Sequence, residues 1–216
     1  MRGTAISYIT AVAVVAAGAG GAGCRTGQTD AKPVIVQPGA PGQASRVIGA
    51  AQASDLSRVQ HTAADIKFMQ GMIGHHAQAI EMTALIPSRT AREDMKMLGL
   101  RISLSQEDEI KMMRRWLEVR GAPLPSEHAH HMPGGMMPGM LTPEEMARLA
   151  AAKGPEFDKL FLEGMIKHHE GALTMVKELF STAGAGQESD IFAFATDVEA
   201  DQQMEIDRMV GMLRTQ

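Results

Sequence analysis

Phe68-Met69-Gln70-Gly71-Met72-Ile73-Gly74-His75-His76 is the stretch that decides the fold, because the chain writes it twice. The second copy is Phe161-Leu162-Glu163-Gly164-Met165-Ile166-Lys167-His168-His169. Agreement starts at Asp65 and Asp158 and continues through Ala79/Ala172 to Met82/Met175. A second element also returns: Gln106, Glu109, Ile110, Met113 and Leu117 correspond to Gln202, Glu205, Ile206, Met209 and Leu213. One His-His segment followed by one Gln/Glu/Met segment, repeated in that order, reads as a duplicated helical hairpin.

Residues three, four and seven apart share a helix face. Phe68, Met72, His75, Ala79 and Met82 therefore line one seam, with Met69, Ile73, His76, Ile80 and Thr83 beside it. The second copy gives Phe161, Met165, His168, Ala172 and Met175, beside Leu162, Ile166, His169, Leu173 and Val176. All four histidines fall on the apolar face, and Lys67, Gln70, Gln78 and Glu81 are expected on the polar side. Thr62 with Asp65 predicts a capping box at the start of the first helix. Pro87 predicts its end near Ile86. Ser88 is expected to cap a second helix ending at Gly121. Thr142-Pro143-Glu144-Glu145 opens a short helix, and Gly154-Pro155 opens a long one running to about Ala183. A last helix is expected from about Glu188 to Leu213, and no strand is assigned. Four long helices with short links predict an all-α antiparallel four-helix bundle.

The N-terminus has the form of an export signal over residues 1–23, with Arg2 ahead of an apolar run from Ala5 to Ala17 that is too short to span a bilayer. Small residues lead into the single cysteine, Cys24, in the manner of a lipidation site, although Gly21 stands where such sites usually carry a larger apolar residue. Residues 24–53, rich in Gly, Pro, Gln, Ala and Ser, read as a lipidated cysteine and flexible tether. The helical domain then occupies residues 54–216, with a His/Met-rich loop at 122–141. These features predict an exported protein, periplasmic or at the cell surface, anchored through Cys24.

One cysteine excludes an intramolecular disulfide and thiolate-rich zinc or iron–sulfur sites. A net charge of −4 without a basic run gives no footprint for nucleic acid. Di-iron bundles need inward Glu-x-x-His. The one Glu-x-x-His here, Glu127 to His130, lies in the Pro/Gly loop. Neither the zinc-protease motif His-Glu-x-x-His nor a nucleophile constellation occurs in the sequence.

Methionine is the compositional outlier, with 18 residues against six Phe, one Trp and one Tyr. It serves either as a plastic core filler or as a soft thioether ligand. Identical placement of four histidines beside methionines favours ligands: Met72, His75, His76 and Met82 from one copy, Met165, His168, His169 and Met175 from the other. The competing expectation is a hydrogen-bonded core joining the histidines to Glu109, Glu205, Asp65 or Asp158. In the loop, His128, His130, His131, Met132, Met136, Met137 and Met140 are expected to be exposed, which reads as metal capture. Imidazole with thioether suits Cu(I), with Ag(I) as its mimic.

The motif Asp65-x-x-Phe68-Met69-x-x-Met72-Ile73-x-His75-His76-x-x-Ala79-Ile80, its copy from Asp158 and the two Gln-x-x-Glu-Ile-x-x-Met elements resemble the domain-of-unknown-function 305 family over roughly residues 60–214. That resemblance implies a ferritin-like bundle and exported proteins that bind copper or silver and contribute to copper resistance. It also implies Met72, His75, His76, Met165, His168 and His169 as ligands. Lys167 stands where the first copy has Gly74, and Glu170 where it has Ala77, so the copies are expected to differ in affinity. The resulting expectation is an extracytoplasmic copper-binding protein of metal homeostasis or resistance, a chelator or chaperone rather than an enzyme. Its expected partners are the metal ion, the membrane through Cys24 and further copies of itself. The alternatives are a metal-free helical scaffold or interaction domain and a copper-dependent oxidase.

Overall fold

The computed structural model describes residues 34–37, 44–53, 60–125 and 136–215. The proposed signal, Cys24 and the loop residues His128, His130, His131 and Met132 lie outside the described residues. The chain divides into two units, Met1–Ser54 and Asp55–Gln216.

The first unit corrects the expectation of no strand. Strands β1 (Ile35–Gln37) and β2 (Arg46–Ile48) pair antiparallel, Val36 opposite Val47. Both are β-branched segments too short to show a period, so hydropathy alone does not reveal them. A one-turn helix, α1 (Ala50–Ala53), follows.

The second unit is helical: α2 (Ala63–Arg89), α3 (Glu93–Val119), α4 (Pro143–Ala151), α5 (Gly154–Ser181) and α6 (Ser189–Leu213). The expected capping box at Thr62 is present, and the expected helix start at Thr142 also closes as a capping box. Thr62 Oγ1 accepts from the Asp65 amide while Asp65 accepts from the Thr62 amide, and Thr142 and Glu145 do the same. Pro87 does not stop α2, which continues to Arg89. A proline in the last turn forfeits one helical bond, the one to Thr83, and the following turn still closes with the Thr90 amide on the Ile86 carbonyl. Ser88 consequently lies inside α2, bonded to the Leu85 carbonyl, and α3 begins at Glu93 without a side-chain cap.

Helix α2 packs on α3, α5 on α6, and α2 on α5. In the first pair Ile86 lies against Gly99 near the turn and His76 meets Glu109 farther along, so the helices run in opposite directions. In the second pair Phe180 meets Phe192 and His169 meets Glu205, with the same sense.

Two apolar clusters form the core. One gathers Phe68, Met72, Met113, Ala172, Met175 and Val198. The other gathers Ala79, Met82, Ile102, Phe161, Met165 and Met209. Along both α2 and α5 the histidine pair separates the residues of one cluster from those of the other. Each large side chain fully buried here stabilises by about 1.5–3 kcal/mol, which is what holds four imidazoles out of water.

Candidate metal centre

His75, His76, His168 and His169 are all fully buried, as the helical period predicts. The rings of His75 and His168 stack across the α2–α5 contact, centroids 3.8 Å apart and tilted by 37°. Every Nε2 has an oxygen partner. His76 Nε2 lies 2.5 Å from Glu109 Oε2 and His169 Nε2 lies 2.7 Å from Glu205 Oε2. His75 Nε2 is 3.0 Å from the Pro138 carbonyl, and His168 Nε2 is 3.0 Å from the His75 carbonyl. A carbonyl oxygen and an ionised carboxylate only accept, so the proton sits on Nε2 in each contact.

Each Nδ1, by contrast, is buried without a hydrogen-bond partner. Desolvation pushes the His75 pKa down to about 3, reinforced by neighbouring His76 and opposed by the Pro138 bond. Desolvation, then His75, His169 and His76, push His168 well below its ordinary value. Both rings are therefore neutral near pH 7, and their Nδ1 atoms carry unshared lone pairs. Burial acts to raise Glu109, but the His76 bond and charge, with help from Ser105 and His169, hold it below the usual carboxylate range. Its oxygens are thus anionic acceptors that orient His76.

The thioethers lie on the same seams. Met72, Met82 and Met165 are fully buried and Met175 nearly so. A Cβ built on Gly71 would stand 3.4 Å from the Met175 methyl and 3.4 Å from the Met137 sulfur; one on Gly164 would stand 3.5 Å from the Met82 methyl. The helices approach closely there because glycine leaves room for methionine from the facing helix. Among the described residues, no three His, Asp or Glu side chains gather into a cation cage.

The loop corrects the expectation of exposed methionines. Among the described loop residues Met137 and Met140 are buried, and Met136, at 40 % exposure, reaches solvent. Gln78, expected on the polar face, is also buried: its amide nitrogen donates to the Leu141 carbonyl and its oxygen accepts from the Leu141 amide, at 2.9 and 2.8 Å. Gly139 takes a positive φ of 74°, and a Cβ on Gly171 would overlap the Pro138 carbonyl. The loop backbone thus lies directly on α5, which brings the Pro138 carbonyl to His75.

Sequence reasoning named Glu109 and Glu205 only as hydrogen-bond candidates, and they are the partners found. The other two candidates serve elsewhere. Asp65 also accepts from the Gly186 amide at 2.7 Å, and Asp158 faces Arg92 at 3.8 Å. The Pro138 carbonyl was not legible, because a backbone oxygen carries no side-chain signal. Gln106 and Gln202 are buried with an unpartnered side-chain oxygen each, a feature that the repeated Gln-x-x-Glu spacing could have flagged.

Fold and side chains together define a helical protein with two buried His-His pairs, backed by oxygen acceptors, with buried methionines on the same helices. The chain belongs to the family described as Domain of unknown function (DUF305), which it matches over residues 65–213. A DUF305 fragment from Deinococcus radiodurans is 29 % identical, with a TM-score of 0.61 over 72 % of this chain and 99 % of that one. A DUF305 protein from Streptomyces coelicolor, designated as secreted, is 29 % identical with a TM-score of 0.59, over 70 % of this chain and 91 % of that one. CopM in its Cu(I)-bound form is 26 % identical with a TM-score of 0.56, over 72 % and 98 %; CopM is also known bound to Cu(II) and to silver. An uncharacterized protein of Acanthamoeba polyphaga mimivirus shares 38 % identity over 63 residues, 29 % of this chain and 41 % of that protein's length.

Proposed function

We propose that this protein binds copper outside the cytoplasm as a chelator or chaperone in metal homeostasis or resistance. The observation that carries the reading is the set of four buried Nδ1 atoms without partners beside four engaged Nε2 atoms. An imidazole whose far nitrogen donates to a carboxylate or carbonyl is oriented to ligate through the near one. A purely structural network would leave those four nitrogens unsatisfied, at about 1–3 kcal/mol each. Nothing in an apolar core repays that, whereas a metal would.

The donors are the imidazoles of His75, His76, His168 and His169 and the thioethers of Met72 and Met165, with Met82 and Met175 next along the seam. This soft set favours Cu(I), with Ag(I) as a mimic, over Zn(II). Copper is cargo here. The DUF305 relationship and the metal-bound CopM forms support the reading. We read the helices as a ferritin-like antiparallel four-helix bundle of two repeated hairpins. His128, His130, His131, Met132 and Met136 would assist capture, with Met137 and Met140 contributing from buried positions. Export is supported by the N-terminal sequence and by the secreted designation of the Streptomyces coelicolor relative. A lipid on Cys24 would hold the protein at a membrane.

The competing reading, a metal-free scaffold, draws on the His76–Glu109 and His169–Glu205 bonds, which would also suit a structural core. Reconstitution with Cu(I) under reducing conditions followed by elemental analysis separates the two. Copper in stoichiometric amount is expected, and it should fall in the His75→Ala, His168→Ala double variant. Copper content unchanged in a double variant that keeps its helicity would overturn the assignment.

A further inference from the structure

A second feature lies on the outside of the same region. Gln78, Glu81, Met136, Met140, Leu141, Pro143 and Met146 line a solvent-open cavity of about 210 Å³. Three of these seven residues are methionines, drawn from the loop and from α4. Met136 is 40 % exposed, so packing alone gives it little reason to be methionine, while Met146 is half-buried against the second apolar cluster.

Their backbones are fixed from three sides. The paired Gln78–Leu141 bonds fix the chain next to Met140. The close approach of Gly139 to Gly171 fixes the turn before it. The Thr142–Glu145 capping box, with Pro143 in the first turn, fixes the start of α4 and therefore Met146. Glu81 also lines the cavity.

We infer that Met136, Met140 and Met146 form a second, surface-accessible thioether site for a soft monovalent cation, Cu(I) or Ag(I), separate from the histidine layer. Three thioethers suit such an ion and disfavour harder divalent ions. The chain links this cavity to the buried layer directly. Pro138, whose carbonyl holds His75, stands two residues from Met136 and two from Met140, and Met137 between them turns inward toward Gly71. A cation held at the cavity is thus one short loop away from the imidazoles. The inference rests on the proposed soft-metal function and names where the ion first lands.

The test uses the full chain carrying 13C-methyl methionine, titrated with Ag(I) and followed by NMR of the methionine methyl groups. The Met136, Met140 and Met146 signals are expected to shift together. In Met146→Leu, which keeps the volume, the Met136 and Met140 shifts should require about tenfold more Ag(I) or worse, the scale of loss seen when a metal site loses even an orienting partner. Met72 and Met165 should respond in that variant as they do in the parent. Met72 and Met165 shifting while Met136, Met140 and Met146 stay still overturns the cavity site and leaves the histidine-layer reading standing. Silence of all five methyls overturns both. Because Met146 is half-buried on a short helix, helicity of the variant is measured alongside. Should Met146→Leu unfold, Met136→Leu at the exposed position replaces it with the same expectations.

Discussion

His75 and His168 occupy matching places in the two copies, yet they are held differently. His168 donates to the His75 carbonyl on the facing helix, whereas His75 donates to Pro138 in the loop. The cause is traceable to one pair of matching positions. Where α2 has Gln78, α5 has Gly171. Glutamine there grips the loop backbone and glycine there lets the loop lie flat on the helix. The carboxylates differ too. Glu205 is 6 % exposed at its side chain and Glu109 is 18 % exposed, with Ser105 as an additional donor. A duplicated motif thus yields a half fastened to a loop and a half buried against its neighbour.

The largest effect is expected where the halves agree, in the stacked imidazoles. Both have folded pKa values below the ordinary 6.5, His75 at about 3. Below pH 6.5 the unfolded chain takes up protons that the folded chain refuses, so stability is full above that value and falls as acid is added. For His75 the loss is up to about 1.4 kcal/mol per pH unit down to its folded value, and His168 acts in the same direction. Urea midpoints of the metal-free protein at pH 7 and pH 4.5 measure this. A His75→Gln variant should show a flatter profile, and an unchanged one would contradict the burial argument.

Next comes the difference between the carboxylates. Glu205→Ala should cost about 2–3 kcal/mol, because the His169 proton is left without an acceptor in a dry site, against about 1 kcal/mol for Glu109→Ala, where water can replace the carboxylate. Equal losses in denaturant melts would erase the asymmetry. Copper affinity should fall about 10–100-fold in Glu205→Ala. Gly171→Ala should destabilise by about 1–2 kcal/mol, despite alanine being the better helix former, since its Cβ meets the Pro138 carbonyl. A gain in stability would show that the loop is not seated on α5. The smallest effect is expected at Lys167, which replaces Gly74 of the first copy and bonds Glu145 at 2.8 Å on the surface. Lys167→Gln should change stability by about 0.5 kcal/mol or less, and a larger loss in the same melts would mean that this exposed pair helps to hold α4.

Much of this was readable in the sequence. The 3.6-residue period put four histidines on the buried side, and Thr62/Asp65 and Thr142/Glu145 marked two helix starts correctly. Periodicity failed where a polar side chain is buried to serve backbone, as Gln78 does for Leu141. It failed again where Gly and Pro suggested exposure, although Met137 and Met140 are buried. A loop docks through its carbonyls and amides, which every residue shares, so side-chain patterns do not announce it. Pro87 misled because the rule against helical proline loses force in a final turn. In the site, the burial of the paired histidines was legible, but which acceptor holds which imidazole depended on the contacts between helices.

The aspartates that open the two His-His helices bear on cooperativity. Asp65 accepts from the Gly186 amide, in the link between α5 and α6, and Asp158 faces Arg92, in the link between α2 and α3. Each half thus completes a terminus of the other. An isolated half would leave its buried aspartate without that cross-connection, so neither the α2–α3 pair nor the α5–α6 pair is expected to be a self-sufficient folding unit. The helical unit should melt in one two-state step, with both imidazole pairs assembled or lost together.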